Sequence, residues 1–158
     1  MRTTRPQMFM QIAQTVALRS TCMRLNVGAV IVQGRSIVSI GYNGAPSGEP
    51  HCTQETCNAQ TSCKRTIHAE MNALNHLPGD IAWREDVTAL DLYVTDSPCV
   101  HCFDKIANTG MFGRIFFGTP YRITDHLEDS LWDIEIYRVL PSGYVINWDT
   151  KELVDVET

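Results

Sequence analysis

Two short segments constrain this chain more than any other feature: His68-Ala69-Glu70 and, after a gap, Pro98-Cys99-Val100-His101-Cys102. His68, Cys99 and Cys102 offer one imidazole and two thiolates. Three such ligands leave the fourth position of a tetrahedral zinc open to water. Glu70 is too close to His68 to serve as a fourth ligand, but it is well placed to handle protons. Zinc lowers the pKa of water to about 7, and a neighbouring carboxylate can take that proton and pass it to a substrate. The same carboxylate is regenerated each cycle and can serve a second transfer. A zinc knuckle that only staples the fold would bring a fourth Cys or His and would leave Glu70 without a role.

Local signals place these residues on helix starts. Ile67, Ala69, Met71, Ala73 and Leu74 form a short apolar-periodic stretch, which predicts a helix over 68–77 stopped by Pro78-Gly79. Pro98 suits the first turn of a second helix, over 98–109, that ends at Gly110. All three ligands then lie at helix N-termini, where the dipole favours thiolate over thiol.

The rest of the chain reads as alternating elements. A helix is expected over 6–20 from Phe9, Ile12, Ala13, Val16 and Ala17. Strands are expected over 27–32 and 36–41, joined as a hairpin through Gln33-Gly34-Arg35. A long polar loop follows over 42–65. Beyond the first ligand helix, a charged connection through Trp83-Arg84-Glu85-Asp86 leads to a strand over 89–95. A further strand is expected over 114–118. Leu127, Leu131, Ile134 and Val139 suggest a helix over 125–139, followed by a last strand over 143–148 and a frayed acidic tail. The pattern implies one domain, residues 1–158, with helices layered on both sides of a sheet.

Composition narrows the class. The chain has 158 residues, 44% of them hydrophobic and 20% charged, ordinary values for a globular domain with a real core. No apolar run approaches the ~20 residues that span a bilayer. Gln7, Gln11 and Gln14 interrupt any signal-peptide core after the basic N-terminus, so a cytoplasmic protein is expected. A net charge of −5 argues against a general grip on nucleic acid, though not against a local phosphate pocket. Six cysteines in a reducing compartment point to metal before disulfides. Beyond Cys99 and Cys102, the set Cys22, Cys52, Cys57 and Cys63 is expected to meet at a structural zinc that orders the long loop, with His51 able to replace any one of them.

The chain resembles the deoxycytidylate (dCMP) deaminases of the cytidine deaminase-like superfamily. The H-x-E and P-C-x-x-C pattern is the signature of zinc-dependent nucleobase deaminases. The likeness also runs through Arg19-Ser20-Thr21-Cys22, residues 27–32, Gly41-Tyr42-Asn43-Gly44-Ala45-Pro46-Ser47-Gly48, His51-Cys52, residues 63–70 and Tyr93-Val94-Thr95. It covers roughly residues 8–122. It implies a three-layer α/β/α fold with a five-stranded mixed sheet, and conversion of dCMP and water to dUMP and ammonia. It also implies a homo-oligomer, with a hexamer favoured, activation by dCTP and inhibition by dTTP with Mg²⁺, and a second zinc. The backbone of Ala69 and Ser97 would read the cytosine edge, Asn43 would bond the sugar, and Arg24 or Arg65 would hold the 5′-phosphate, with Tyr121 packed nearby. The short first ligand helix departs from longer versions in the family, a region that bears on regulation and assembly. Rival enzymatic readings are a deaminase of dCTP, of deoxycytidine or of both dCMP and dCTP, or a tRNA adenosine deaminase, which would want a basic RNA-binding face. A non-catalytic zinc-binding nucleotide sensor is the rival of another class. His76, His101 and His126, and Trp83, Trp132 and Trp148, read as structural or surface residues.

Overall fold

The computed structural model describes residues 2–55, 57, 65–82, 89–128 and 132–156. Within these, a mixed sheet in the order β2-β1-β3-β4-β5-β6-β7 carries helices on both faces. The elements are α1 (Arg5–Ala17), β1 (Gly28–Gln33), β2 (Ser36–Tyr42), α2 (Ala69–Asn75), α3 (Gly79–Ala82), β3 (Leu90–Asp96), α4 (Val100–Asn108), β4 (Phe112–Thr119), β5 (Glu135–Val139), β6 (Val145–Asn147) and β7 (Leu153–Val154). β3, β4 and β5 run parallel, and every other pairing is antiparallel. No helix among the described residues is long and apolar enough to cross a membrane.

Each face has its own core. One layer packs α1 on the sheet through Phe9, Met10, Ala13 and Val16, with Val30, Val32, Tyr93, Phe116 and Tyr137 from the strands. The other joins Ala69 and Ala73 of α2, and Phe103 and Ile106 of α4, to Ile31, Leu92, Val94, Ile115, Phe117 and Ile136. Adjacent strand residues go to opposite faces, so the central strands are apolar on both sides. Where Asp91 breaks the apolar run of β3, Arg114 sits opposite it in the register and closes a two-point ion pair, at 2.9 and 2.6 Å. That bond raises the Arg114 pKa above its ordinary value.

Two glycines let the helices approach. A Cβ on Gly28 would lie 2.0 Å from the Ala13 carbonyl oxygen of α1. A Cβ on Gly41 would lie 2.3 Å from the Ala73 nitrogen of α2. The second contact matters most here, because α2 carries Glu70.

The structure corrects several expectations. Among the described residues the sheet has seven strands, not five. The helix expected over 125–139 is a short 3₁₀ turn, Asp125–Leu127, followed by β5. In β5 the β-branched and aromatic residues decide: Ile136 and Tyr137 are both buried, on opposite faces, as an interior strand requires and a helical stripe does not allow. The tail expected to fray instead forms β7 against β6. Pro78-Gly79 does end α2, but the one-turn α3 starts there. Leu131, Cys63 and the connection Trp83-Arg84-Glu85-Asp86 lie outside the described residues.

Candidate metal centre and pocket

The parallel strands deliver the site. β3 ends at Asp96, and the chain then turns through Ser97 and Pro98 into α4. Cys99 is the N-cap of α4 and Cys102 lies in its first turn, while His68 is the N-cap of α2. Neither side chain supplies the oxygen of an ordinary N-cap, and the Cys99 sulfur meets Cys102 in the first turn of its own helix. They turn to one another instead: His68 Nδ1 lies 3.6 Å from Cys99 Sγ and 3.3 Å from Cys102 Sγ. One ligand atom from each of the three residues falls within 4.8 Å of the others, so together they can hold a metal ion.

The donor set fits zinc: two soft thiolates and an imidazole at the positive ends of two helices. The electrostatics agree. The Cys99 thiol is held down to about 3, chiefly by the hydrogen bond from Cys102 and, against the opposing effect of burial, by the His68 ring. Cys102 is pushed up by the same bond and by burial. The two thiols are thus pulled in opposite directions, and a cation seated among the three ligands would favour thiolate at both.

Glu70 stands beside this cluster in the first turn of α2, with only 5% of its surface exposed. Burial pushes its carboxyl up to about 7, while a backbone hydrogen bond and the His68 charge pull it down. A group that gains and loses a proton near neutrality suits proton transfer in both directions.

One pocket gathers most of the residues expected at the site. Its walls include His68, Ala69, Glu70 and Cys99, together with Arg24, Asn43, Ser97 and Tyr121. Asn43 is buried and its amide is engaged: Oδ1 accepts from Val27 N–H at 2.8 Å, and Nδ2 donates to Leu25 O at 2.6 Å. Asn43 therefore anchors the segment that carries Arg24 into the pocket. Arg65 is not on the pocket wall; its guanidinium donates to the Pro50 carbonyl. Cys22 lines the pocket, and among the described residues Cys22, Cys52, Cys57 and His51 form no metal-binding group.

The sequence reading missed three residues. Arg122 lines the pocket with its guanidinium carbon 5.0 Å from the Tyr121 ring centroid. Asp96 lines it too, and burial raises its pKa. His126, read as a structural or surface residue, has a structural role at the site: its Nε2 lies 2.8 Å from the Pro98 carbonyl oxygen and braces the turn before Cys99. No spacing rule links Arg122 or His126 to the zinc motif. Both lie past β4, where the return of the chain to the site is visible only in three dimensions.

Comparison with known proteins agrees with this geometry. Residues 3–119 match the cytidine and deoxycytidylate deaminase zinc-binding region. The chain is 38% identical to the deoxycytidylate deaminase of Mycobacterium phage D29, over 65% of this chain and 86% of that one. It is 36% identical to ComE operon protein 2 of Bacillus subtilis, over 78% of this chain and 64% of that one. Some relatives are much longer, and the chain spans only 38% of the deoxycytidylate deaminase of Schizosaccharomyces pombe. Among solved structures, the dCMP deaminase of the cyanophage S-TIM5, in complex with dCMP and dUMP, superposes with a TM-score of 0.69. It shares 31% identity, over 83% of this chain and 93% of that one. The chain belongs to the zinc-binding cytidine and deoxycytidylate deaminase family, and its sheet and helix layers are the cytidine deaminase-like fold.

Proposed function

We propose that the protein deaminates dCMP to dUMP and ammonia with the expenditure of one water. The observation that carries this reading is the placement of buried Glu70 beside the His68–Cys99–Cys102 cluster, in a pocket that also holds Arg24 and Arg122. A zinc ion held by the three ligands would supply Lewis acidity that brings water toward neutral pKa. The Glu70 carboxylate takes the proton of the attacking water and gives it to the ring nitrogen. As the water oxygen bonds to the amino-bearing carbon, the carboxylate takes the remaining proton of that new hydroxyl and passes it to the amine, so that the C–N bond breaks, ammonia leaves, the carbonyl forms and the carboxylate is restored. The backbone of Ala69 and Ser97 bounds the cytosine edge, and Tyr121 packs beside it. Arg24 and Arg122, rather than Arg65, offer the positive charge a 5′-phosphate needs. The complex of the cyanophage enzyme with dCMP and dUMP supports this choice of substrate.

Further features belong to the reading: a homo-oligomer and effector binding by dCTP or dTTP with Mg²⁺, on the family resemblance; a cytoplasmic location, on the interrupted apolar N-terminal segment; and a second zinc from Cys22, Cys52, Cys57 and Cys63 with His51 as an alternative ligand, on the clustering of the cysteines. Zinc quantification tests the last, with two ions per chain expected and one ion counting against it.

The deciding experiment is ammonia release and product identification with dCMP, alone and with dCTP plus Mg²⁺. Formation of dUMP is the expected result, and a rise with dCTP would establish regulation. Turnover of dCTP or a tRNA adenosine with none of dCMP would move the substrate and leave the metal centre in place. Zinc binding with no turnover of any of these would favour a nucleotide sensor.

A further inference from the structure

Ser97 offers more to the pocket than its backbone. The side chain is buried, with 3% of the residue exposed, and its hydroxyl accepts the Tyr121 N–H at 2.7 Å. Its own N–H donates to the Thr119 carbonyl at 2.9 Å. Two hydrogen bonds therefore fasten the end of β4, and the turn after it, to the residue just ahead of Pro98-Cys99. That turn delivers Tyr121 and Arg122 to the pocket wall. Arg122 has φ of +50°, in the left-handed region that residues with a Cβ avoid. Such a conformation persists only where its surroundings impose it. The Tyr121 N–H bond is one such restraint, and the guanidinium resting over the Tyr121 ring is another.

We propose that the Ser97 hydroxyl is a positioning residue for phosphate recognition: by holding the Tyr121-Arg122 turn it sets where the Arg122 guanidinium stands relative to the base-reading end of the pocket. The proposal rests on the reading that the pocket takes dCMP with Arg122 toward its 5′-phosphate. It makes one residue the common gauge for both ends of the nucleotide. The Ser97 backbone lies at the base, and its hydroxyl sets the arm that meets the phosphate. A serine that merely satisfied a buried N–H would support the fold without favouring a phosphorylated substrate over a nucleoside.

A double-mutant cycle separates the two roles. Steady-state kinetics with dCMP and with deoxycytidine would be measured for the wild type, Ser97→Ala, Arg122→Ala, the double variant and Ser97→Thr. Ser97→Ala should raise KM for dCMP by about tenfold, the size of one lost charge-assisted bond, with the loss carried by KM rather than kcat. The dCMP-to-deoxycytidine ratio of kcat/KM should fall by a similar factor. In the Arg122→Ala background the same change should add less than about twofold, because its route to the phosphate is already gone. Ser97→Thr, which keeps the hydroxyl, should restore the ratio. Equal losses for both substrates, equal losses in both backgrounds, or no change in KM would overturn the proposal. Ser97→Gly removes the same hydroxyl and serves if Ser97→Ala does not fold; failure of both to fold would mark a folding residue and also overturn it. A wild type showing no preference for dCMP over deoxycytidine would remove the underlying reading before any Ser97 variant is made.

Discussion

The helices on the two faces of the sheet begin in different ways. At the start of α1, Thr4 does what a capping residue ordinarily does, and its hydroxyl accepts the Gln7 N–H at 3.3 Å. At the starts of α2 and α4, His68 and Cys99 occupy the same position without an ordinary side-chain cap bond. Their backbone torsions are nearly those of Thr4: ψ is 159° at Thr4, 152° at His68 and 165° at Cys99. The backbone geometry is shared and the side chains differ. A Ser, Asp or Asn at either site would add about 1 kcal/mol of helix stability. The chain forgoes that at both helices bearing the metal-binding residues and keeps it at the helix that only packs. The same division appears in the cores. Under α1 lies an aromatic row, Phe9–Tyr93–Phe116–Tyr137, with successive centroids 5.1, 4.4 and 5.0 Å apart. Over α2 and α4 the layer ends in a buried carboxyl and two thiols. Both faces carry an apolar core, and the chemistry lies on only one of them.

The largest test of this division is Glu70→Gln. Removing the proton carrier should lower turnover by about 10³-fold, within the range for general acid–base groups. Zinc content should not change, and thermal unfolding should shift little or upward, since a buried ionisable group is replaced by a neutral one. Turnover within tenfold of the wild type would show that Glu70 is a packing residue.

Next comes Cys99→Ser, which turns a ligand-bearing N-cap into a capping one. Zinc affinity should fall about 10²-fold or more, since thiolate is the softer ligand. With chelator present, the same variant should be more stable than the wild type by up to about 1 kcal/mol, because serine can cap α4. Denaturant melts with and without chelator would show the two opposite signs. A variant destabilised under both conditions would mean that Cys99 holds the fold rather than the ion.

A smaller effect is expected from the two helix-seating glycines. Gly28→Ala and Gly41→Ala each force a methyl against helix backbone, and each should cost about 2 kcal/mol. Only Gly41→Ala shifts α2, and with it Glu70, so it alone should also depress kcat at temperatures where both variants remain folded. Equal effects on kcat would show that the two faces are mechanically coupled and would break the division.

Much of the ligand-bearing face was legible in the sequence because its signals are local. Helix caps and the H-x-E and C-x-x-C spacings act within one or two turns, and residues 68–70 and 99–102 stand at helix starts as those rules place them, although Pro98 precedes the Cys99 N-cap rather than sitting in the first turn. The hairpin of β1 and β2 was legible for the same reason. What was missed depends on distant partners. β5 reads as part of a helix because Leu127, Ile134 and Val139 fall on a rough stripe, whereas pairing with β4 and β6 favours extended backbone for its β-branched and aromatic residues. β7 has two residues and no periodicity, and it exists because β6 offers an edge. Arg122 and His126 return to the site through a turn set by Ser97 and a carbonyl at Pro98, contacts that span 24 and 28 residues. The family resemblance implied Arg24 or Arg65 for the phosphate, yet the Arg65 side chain is engaged at Pro50.

The smallest expected effect closes the comparison from the other side. Thr4→Ala removes the one side-chain cap among the three helix starts and should cost about 1 kcal/mol. The bond is long, at 3.3 Å, and partly exposed, which puts the value at the lower end of the capping range. Because α1 lies across the sheet from Glu70 and the thiols, kcat, KM and zinc content should stay at wild-type values. The midpoint of chemical denaturation should fall with an unchanged slope, the mark of a stability change without a change in compactness. If Thr4→Ser restores the midpoint and Thr4→Val does not, the hydroxyl and not the methyl is responsible. An accompanying loss of zinc or turnover would show that the α1 core transmits to the metal site, and capping could then not be assigned to one face and ligation to the other.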